Sequence, residues 1–534
     1  MRFSQYHVKT SMCATSRRVI KEGVVQGSLQ SSMDTRGERL VVQPGTTQVY
    51  VPAKDSDQSP GLFKIRYVFA VLGFILTAIV YGLKVNLSVA IVGMRNHSAH
   101  GSSQLNITHS DCVGDVEDHT TRKDGPFDWE EGTVGFILSS YFIGYLVSQV
   151  PGGRAAEVLS AKWILFASVA LNIIPTLLTP PAAKIHWSAL VLLRIIEGVG
   201  GGFSFPALHV MISKWAPVPE RSIMSSVVYA GSAIGTVLSL LFSGLIVQHV
   251  SWEAVFYIMG SLSCIWCVLW WVIMSDSPSD NKFISTEERD YILSSLGDHK
   301  EGAETKVPIP WKRIWTSPAF LSILLAHTFG NCGWYMLLID TPIYYSQVLK
   351  LSMSKITMAS SIPFFTLWIL SLSLSTFQST AIKRKCITVT TARKIATLCA
   401  SAVPAACLVL MTLVKCDQML IFLLLGVATT CMGGMFSGYL SNHIDIAPRF
   451  AGTLMGLTNT VATIPGIVVP IIIGQATKTN HTREQWSVIF CGAAAFLAVE
   501  AVVYSIWGSG EEQPWNNPQK KGDDKESGDQ DTKM

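Results

Sequence analysis

The chain has 534 residues, 49% of them hydrophobic and only 15% charged, against about 25% charged in a typical globular protein. Of its 78 Asp, Glu, Lys and Arg, 51 fall in residues 1–66, 95–131, 275–316 and 509–534. Charge swept into tails and loops excludes a soluble enzyme and a disordered chain, and a net charge of +4 without a basic face excludes a nucleic-acid binder.

About 20 mostly apolar residues in helix cross about 30 Å of hydrocarbon. Residues 1–60 hold no such run, which predicts no signal peptide. Arg2, Lys9, Arg17, Arg18 and Lys21 faintly suggest a transit peptide, but Glu22, Asp34 and Glu38 follow, so residues 1–66 are expected to be a cytosolic disordered tail. Apolar stretches then fall near 67–94, 132–153, 163–183, 187–210, 224–247 and 253–274. After a hydrophilic stretch over 275–316 they resume near 317–339, 358–380, 393–414, 418–439, 451–474 and 487–508. The stretch 358–380 is the weakest, being rich in Ser and Thr around Pro363. Six spans, a loop and six more predict two bundles, 67–274 and 317–508, with a cytosolic disordered tail over 509–534. That is the arrangement of many secondary transporters, whose sites lie at the midplane between repeats.

The Lys and Arg distribution sets the orientation. With the N-terminus inside, 16 basic residues fall in the cytosolic loops, tails excluded, and 9 in the outer ones, so both termini and the 275–316 loop are expected in the cytosol. The sequons at Asn96, Asn106 and Asn480 then fall outside, and Asn106, in the long outer loop 95–131, is the best glycosylation candidate. The eleven cysteines are scattered. Cys264-x-x-Cys267 lies within a Trp-rich span with no second ligand pair, so it reads as packing, with no metal site and no structural disulfide expected.

Function should then rest on the charges left in the spans, since a charge at a helix centre costs about 2.5–3.5 kcal/mol on insertion scales. Lys84, in Tyr81-Gly-Leu-Lys-Val-Asn, either snorkels to the outer headgroups or contacts an anion in a central cavity. Arg194 and Glu197 lie three residues apart on one helix face. They form either a neutralised structural pair or a pair that opens when an anion takes the arginine and a proton takes the glutamate. His327, Asn331 and Tyr335 share one face of the seventh span and are candidates to line the cavity. His209 ends the fourth span near the cytosol and is as readily a packed imidazole. Asn442, His443 and Asp445 close the tenth span, where loop capping and gate contacts are expected. Glycines 198, 200, 201 and 202 permit close helix approach. No G-x-x-x-x-G-K-[ST], HExxH or GxSxG motif occurs, so an ion or substrate gradient is the expected energy source.

Several longer segments carry a resemblance. Lys84-Val-Asn-Leu-Ser-Val-Ala-Ile-Val, Gln149-Val-Pro-Gly-Gly, Arg194-Ile-Ile-Glu-Gly, Lys214-Trp-Ala-Pro-Val-Pro-Glu-Arg-Ser, Asn442-His-Ile-Asp-Ile-Ala-Pro-Arg-Phe-Ala-Gly, Gly456-Leu-Thr-Asn-Thr-Val-Ala-Thr-Ile-Pro-Gly and Glu511-Glu-Gln-Pro-Trp occur in order. Together they resemble the anion:cation symporter family of the major facilitator superfamily, solute carrier family seventeen, from about residue 64 to 515. The resemblance implies an all-α membrane protein of twelve transmembrane helices in two six-helix bundles. It implies transport of organic or inorganic anions, usually with protons or sodium. It also implies that Lys84 and Arg194 handle the anion and that Glu197 couples the proton, as in sialin.

The departures are informative. The helix-one position is usually arginine, and lysine loses bidentate carboxylate recognition. The second helix-four acid of sialin and the glutamate transporters falls on Gly201. The helix-two histidine of the glutamate transporters falls on Leu138, and their helix-seven arginine near Gly330. The loop Gly153-Arg-Ala-Ala-Glu-Val-Leu-Ser-Ala-Lys keeps part of the superfamily's gate pattern, with Glu157 left to pair with a cytosolic basic residue.

The expected protein is therefore a secondary active anion transporter, sialin-like, moving a carboxylated organic anion such as a sialic acid with protons. Its substrate contacts would be Lys84, Arg194, Asn331 and Tyr335, its proton group Glu197, and its gate residues Glu157, His443 and Asp445. Sodium-coupled phosphate uptake and a transport-inactive sensor or scaffold are the alternatives. No cofactor, nucleic acid or obligate protein partner is expected beyond the anion and the bilayer.

Overall fold

The structure, a computed structural model, describes residues 64–94, 125–296, 308–351, 353–476 and 482–516. The sequons at Asn96, Asn106 and Asn480, and nearly all of the N-terminal tail, lie outside the described residues. The first half contains α1 (Ile65–Met94), α2 (Glu131–Ala155), α3 (Ala161–Ile185), α4 (Trp187–Trp215), α5 (Arg221–His249) and α6 (Trp252–Ile273). Two short helices, α7 (Thr286–Leu296) and α8 (Trp311–Trp315), fall in the polar middle stretch. The second half begins with α9 (Pro318–Tyr335), which runs through a π-helical turn into α10 (Thr341–Gln347). Then come α11 (Met353–Lys383), α12 (Val389–Met411), α13 (Gln418–Cys431), α14 (Tyr439–Ile446), α15 (Ala451–Ala476) and α16 (Arg483–Trp507).

Eleven helical stretches among the described residues are long and apolar enough to cross a bilayer. One of them, Thr133–Ile185, has 53 residues, about 80 Å of helix and more than twice a hydrocarbon core. Ser160, with φ at −168°, interrupts it between α2 and α3 and caps the second helix by accepting from Trp163 N–H at 3.2 Å. The stretch therefore makes two crossings, and the total is the twelve that the apolar pattern predicts. The chain is an all-α, multi-pass membrane protein.

Local chemistry explains where helices start. Ser251, Thr388 and Asp417 each accept from the backbone N–H three residues on, and Thr482 with Gln485 forms a reciprocal capping box. The Ser- and Thr-rich span survives because its hydroxyls bond within their own helix. Thr366 donates to the Pro363 carbonyl at 3.0 Å and Thr376 to Leu372 at 2.7 Å, so α11 runs unbroken through Pro363. Large side chains such as Trp271, Phe377 and Ile506 stay exposed, which suits a face against lipid.

Packing pairs α1 with α5, and α2 and α3 with α4; in the second half α9 meets α15 and α16, and α12 meets α13 and α16. Across the halves, α2 and α4 meet α15, and α5 meets α11. Ion pairs between the halves, among the described residues, gather at the predicted cytosolic end. Glu220 pairs with Lys383 at 3.4 Å. Asp445 bridges Arg221 at 3.0 Å and Arg393 at 2.7 Å, and Arg393 also donates to Ser222 at 2.7 Å.

Two parts of the predicted loops are ordered. Glu288 on α7 accepts from the first N–H groups of α1, Ile65 at 2.9 Å and Arg66 at 3.2 Å, and so caps that helix with a carboxylate. The C-terminal segment, expected to be disordered from residue 509, docks at its start: Gln513 N–H donates to the Ile446 carbonyl at 2.8 Å and Trp515 is buried. A further expectation is corrected, because Cys416 is disulfide-bonded. Scattered spacing says nothing about which cysteines meet in space.

Candidate functional site

Lys84, two-thirds of the way along α1, does not snorkel. Its ammonium lies among four rings, 4.7 Å from the Phe142 centroid, 5.2 Å from Tyr81 and Tyr145, and 5.4 Å from Tyr141. Three of those rings come from α2, where positions 141 and 145 are one turn apart and share a face. No carboxylate lies within ion-pair distance of Lys84 among the described residues. Rings offer their negative faces to a cation but no charge, so the cage holds the ammonium without neutralising it.

Arg194 approaches the same cage from α4. Its Nη1 meets Glu197 Oε2 at 2.6 Å, its Nη2 donates to the Lys84 carbonyl at 2.9 Å, and its guanidinium carbon sits 5.1 Å from the Tyr141 centroid. Both members of the pair are buried, and Glu197 also accepts from Thr176 at 3.3 Å. Arg194 Nε and the Tyr141 hydroxyl are buried without a partner. Two cations and one carboxylate thus converge on Tyr141, with two donors unused. The arrangement leaves one positive charge uncompensated at a depth where charge is costly.

Gly201 explains the missing second acid of helix four. A Cβ at that position would collide with the Tyr141 hydroxyl, so no side chain fits there while the tyrosine closes the cage.

Beside the cage lies a cavity of about 40 Å³ in room for water centres, lined by both halves: Tyr81 and Phe205 from the first, His327, Asn331, Tyr335 and Asn459 from the second. That space holds a few waters and is too small for a sugar acid, so this conformation is closed around the site. Tyr81 separates the cavity from Lys84, and Asn459 donates to the Tyr145 hydroxyl at 2.9 Å, tying the cage to α15. Asn331 donates to the Ala462 carbonyl at 2.7 Å, and the Tyr335 ring packs over Gly466. Helix geometry breaks on two sides of this space, at the π-helical turn Met336–Asp340 and the 3₁₀ turn Met432–Phe436. Such breaks are tolerated at membrane depth where they line a cavity.

The three scattered histidines come together. His209 reaches the Leu440 carbonyl at 2.9 Å across the halves, and the Tyr229 hydroxyl lies 2.6 Å from its other nitrogen. Thr458 joins His443, at 2.7 Å, to His327, at 3.2 Å. His443 is fully buried beside His209, with ring centroids 5.3 Å apart, instead of capping a loop at the membrane surface. Because α14 is helical, residues 443 and 445 point to different neighbours; Asp445 takes the two arginines and His443 turns inward. Glu157 does meet a basic residue, Arg154 at 3.1 Å, and it also accepts from the backbone and hydroxyl of Thr453, both at 2.6 Å, at the start of α15.

Residues not singled out from the sequence complete the site. Tyr141 and Tyr145 carried a weak signal, two tyrosines at the four-residue spacing of one helix face. Glu500, in the last span, carried a stronger one, a lone acid among apolar residues. It is fully buried on α16, and neither carboxyl oxygen has a partner.

The chain matches the Major Facilitator Superfamily over residues 67–470. It is 36% identical to sialin of Homo sapiens over 467 residues, 87% of this chain and 93% of that one. It is 34% identical to vesicular glutamate transporter 2 of Bos taurus over 464 residues, 86% of this chain and 77% of that one. Among solved structures it is similar to a proton:xylose symporter, with a TM-score of 0.59 at 14% identity over 85% of this chain and 98% of that one. The E. coli fucose:proton symporter gives 0.55 at 13%, over 82% and 99%.

Proposed function

We propose a transport mechanism on one premise: the chain belongs to the Major Facilitator Superfamily, and within it to the family of sialin and the vesicular glutamate transporters. It is a transporter of anions and not an enzyme. The substrate is a carboxylated organic anion and the coupling ion is the proton. The observation that carries this reading is the imbalance around Tyr141, with Lys84 and Arg194 facing one acid, Glu197. A carboxylate entering between the cations meets an ammonium with no counter-ion and the free Nε of Arg194.

Arg194 cannot serve the substrate fully while it holds Glu197. Proton transfer to Glu197 removes the charge that competes for the guanidinium, so anion and proton bind together and leave together. Asn331 and Tyr335 line the space on the opposite bundle and contact the rest of the molecule. With both termini in the cytosol, as the basic residues indicate, the Glu157, Glu220 and Asp445 contacts form the inner gate. They must part as the bundles rock.

Flux into proteoliposomes under imposed pH or sodium gradients tests this. An inward proton gradient should drive saturable accumulation of a sialic acid or another organic anion. In Glu197→Gln that accumulation should fall at least tenfold, while anion exchange at equal pH persists. Uptake that ignores pH but follows sodium, with phosphate as substrate, would replace the reading with sodium–phosphate cotransport. No uptake of any anion would favour a sensor or scaffold.

A further inference from the structure

Among the described residues, Glu500 is a buried acid that the mechanism above does not use and that no basic residue neutralises, and it differs from the buried Asp340, for which only Oδ2 is without a partner. It lies on α16, 0% exposed, with both oxygens unpartnered. An acid kept only for structure would be paired, and an apolar residue would serve a packing role at lower cost. The neighbouring helix makes room for it. A Cβ added to Gly330 on α9 would sit 3.1 Å from Glu500 Oε2 and 2.9 Å from the Tyr439 hydroxyl. Glycine thus leaves a gap into which the carboxyl and the phenol both project.

The polar groups facing Glu500 are Tyr439 from α14 and Cys332 from α9. The Tyr439 ring packs on His327, with centroids 5.5 Å apart, and His327 lines the central cavity. Arg393, on the α12 helix that packs against α16, is taken by Asp445, Ser222 and the Ser437 carbonyl. A metal cation would want about six oxygen ligands, and no cluster of three ligating acids, histidines or cysteines occurs among the described residues. A proton needs only the carboxyl itself.

We infer that Glu500 is a second proton-holding carboxyl of the transport cycle, placed in the C-terminal half as Glu197 is in the N-terminal half. The inference deepens the proton-coupled reading and rests on it. It supplies the acid that helix four lacks at Gly201, on the opposite side of the cavity. The step is a proton transfer alone. The carboxyl gains its O–H from water on one side of the membrane and returns that proton through the His327 side of the site when the cavity has opened to the other.

Two measurements on the full-length protein test it. In proteoliposomes with a trapped pH dye, protons moved per anion are counted for the native protein, Glu500→Gln and Glu197→Gln. Glu500→Gln should move one proton fewer per anion, so its limiting accumulation falls about tenfold per unit of pH difference. An unchanged proton count would overturn the assignment, as would sodium dependence lost in Glu500→Gln. Separately, difference infrared spectra in membranes should show a protonated-carboxyl C=O band that disappears in Glu500→Gln. If that variant does not fold, carbodiimide labelling of the native protein, read by peptide mass spectrometry, should modify Glu500. A native protein without the band or the label overturns the inference. If no anion moves under any gradient, the transport reading fails, while the band and the label still decide whether Glu500 holds a proton.

Discussion

Tyr141 is the residue on which the two cations converge, and its ring does two jobs at once. Its face supports Lys84 and Arg194, at 5.4 and 5.1 Å, while its hydroxyl fills the space that any side chain at position 201 would need. A desolvated cation over a ring gains up to about 2 kcal/mol, less than a carboxylate would give, so the cage keeps Lys84 available for a substrate anion. Losing a charge-assisted hydrogen bond costs about 1.5–3 kcal/mol. Lys84→Met should therefore raise the KM for the anion about 10- to 150-fold while leaving the protein folded. An unchanged KM in proteoliposome uptake would remove Lys84 from the binding site. The charges at 84, 194 and 197 stand out in the sequence because each violates the apolar pattern around it. Tyr141 and Tyr145 violate nothing; their spacing puts them on one face, but what that face meets emerges only from the fold. Glu500 breaks the same rule as Lys84 and was legible on the same grounds.

At the scale of elements, α15 packs on both halves, meeting α2 and α4 of the first and α9 of the second. Its N-terminal N–H groups lack partners within the helix, and Glu157 from the α2–α3 turn supplies one by accepting from Thr453. A carboxylate at a helix N-terminus contributes about 1 kcal/mol. This cap joins two bundles, so its loss acts on closure more than on the helix. Glu157→Gln should enlarge the population open at the predicted cytosolic end about fivefold. Spin labels at the exposed positions Leu159 and Arg384 would read this as a longer-distance population, and identical distance distributions would exclude a gating role. The resemblance of the loop Gly153-Arg-Ala-Ala-Glu to the superfamily's gate pattern leaves Glu157 to pair with a basic residue, and Arg154 lies 3.1 Å away. The Thr453 contact spans nearly 300 residues and has no trace in local spacing. Likewise, the tenth span is readable as one apolar stretch, but it breaks into α13, a 3₁₀ turn and α14, and α14 holds His443 in the core.

At the scale of the whole molecule, Asp445 holds one arginine from each half in a buried triad. Removing one member of such a group leaves its partners charged and unpaired at a cost of about 3–5 kcal/mol. Asp445→Asn should lower the melting temperature in detergent substantially and raise cytosolic-side accessibility. A melting temperature equal to that of the native protein would show that the triad is not what closes this end. The sequence by itself determined the membrane class, the twelve crossings and the few charges within them, because hydrocarbon imposes length and apolarity on each span independently of its neighbours. Tertiary structure alone decided which of those charges meet, that Lys84 faces rings and not headgroups, that His327 and His443 join through Thr458 with His209 beside them, and that Gly330 opens a gap for Glu500. Those outcomes depend on contacts between helices hundreds of residues apart, where periodicity along one helix tells which face is polar but not what stands opposite it.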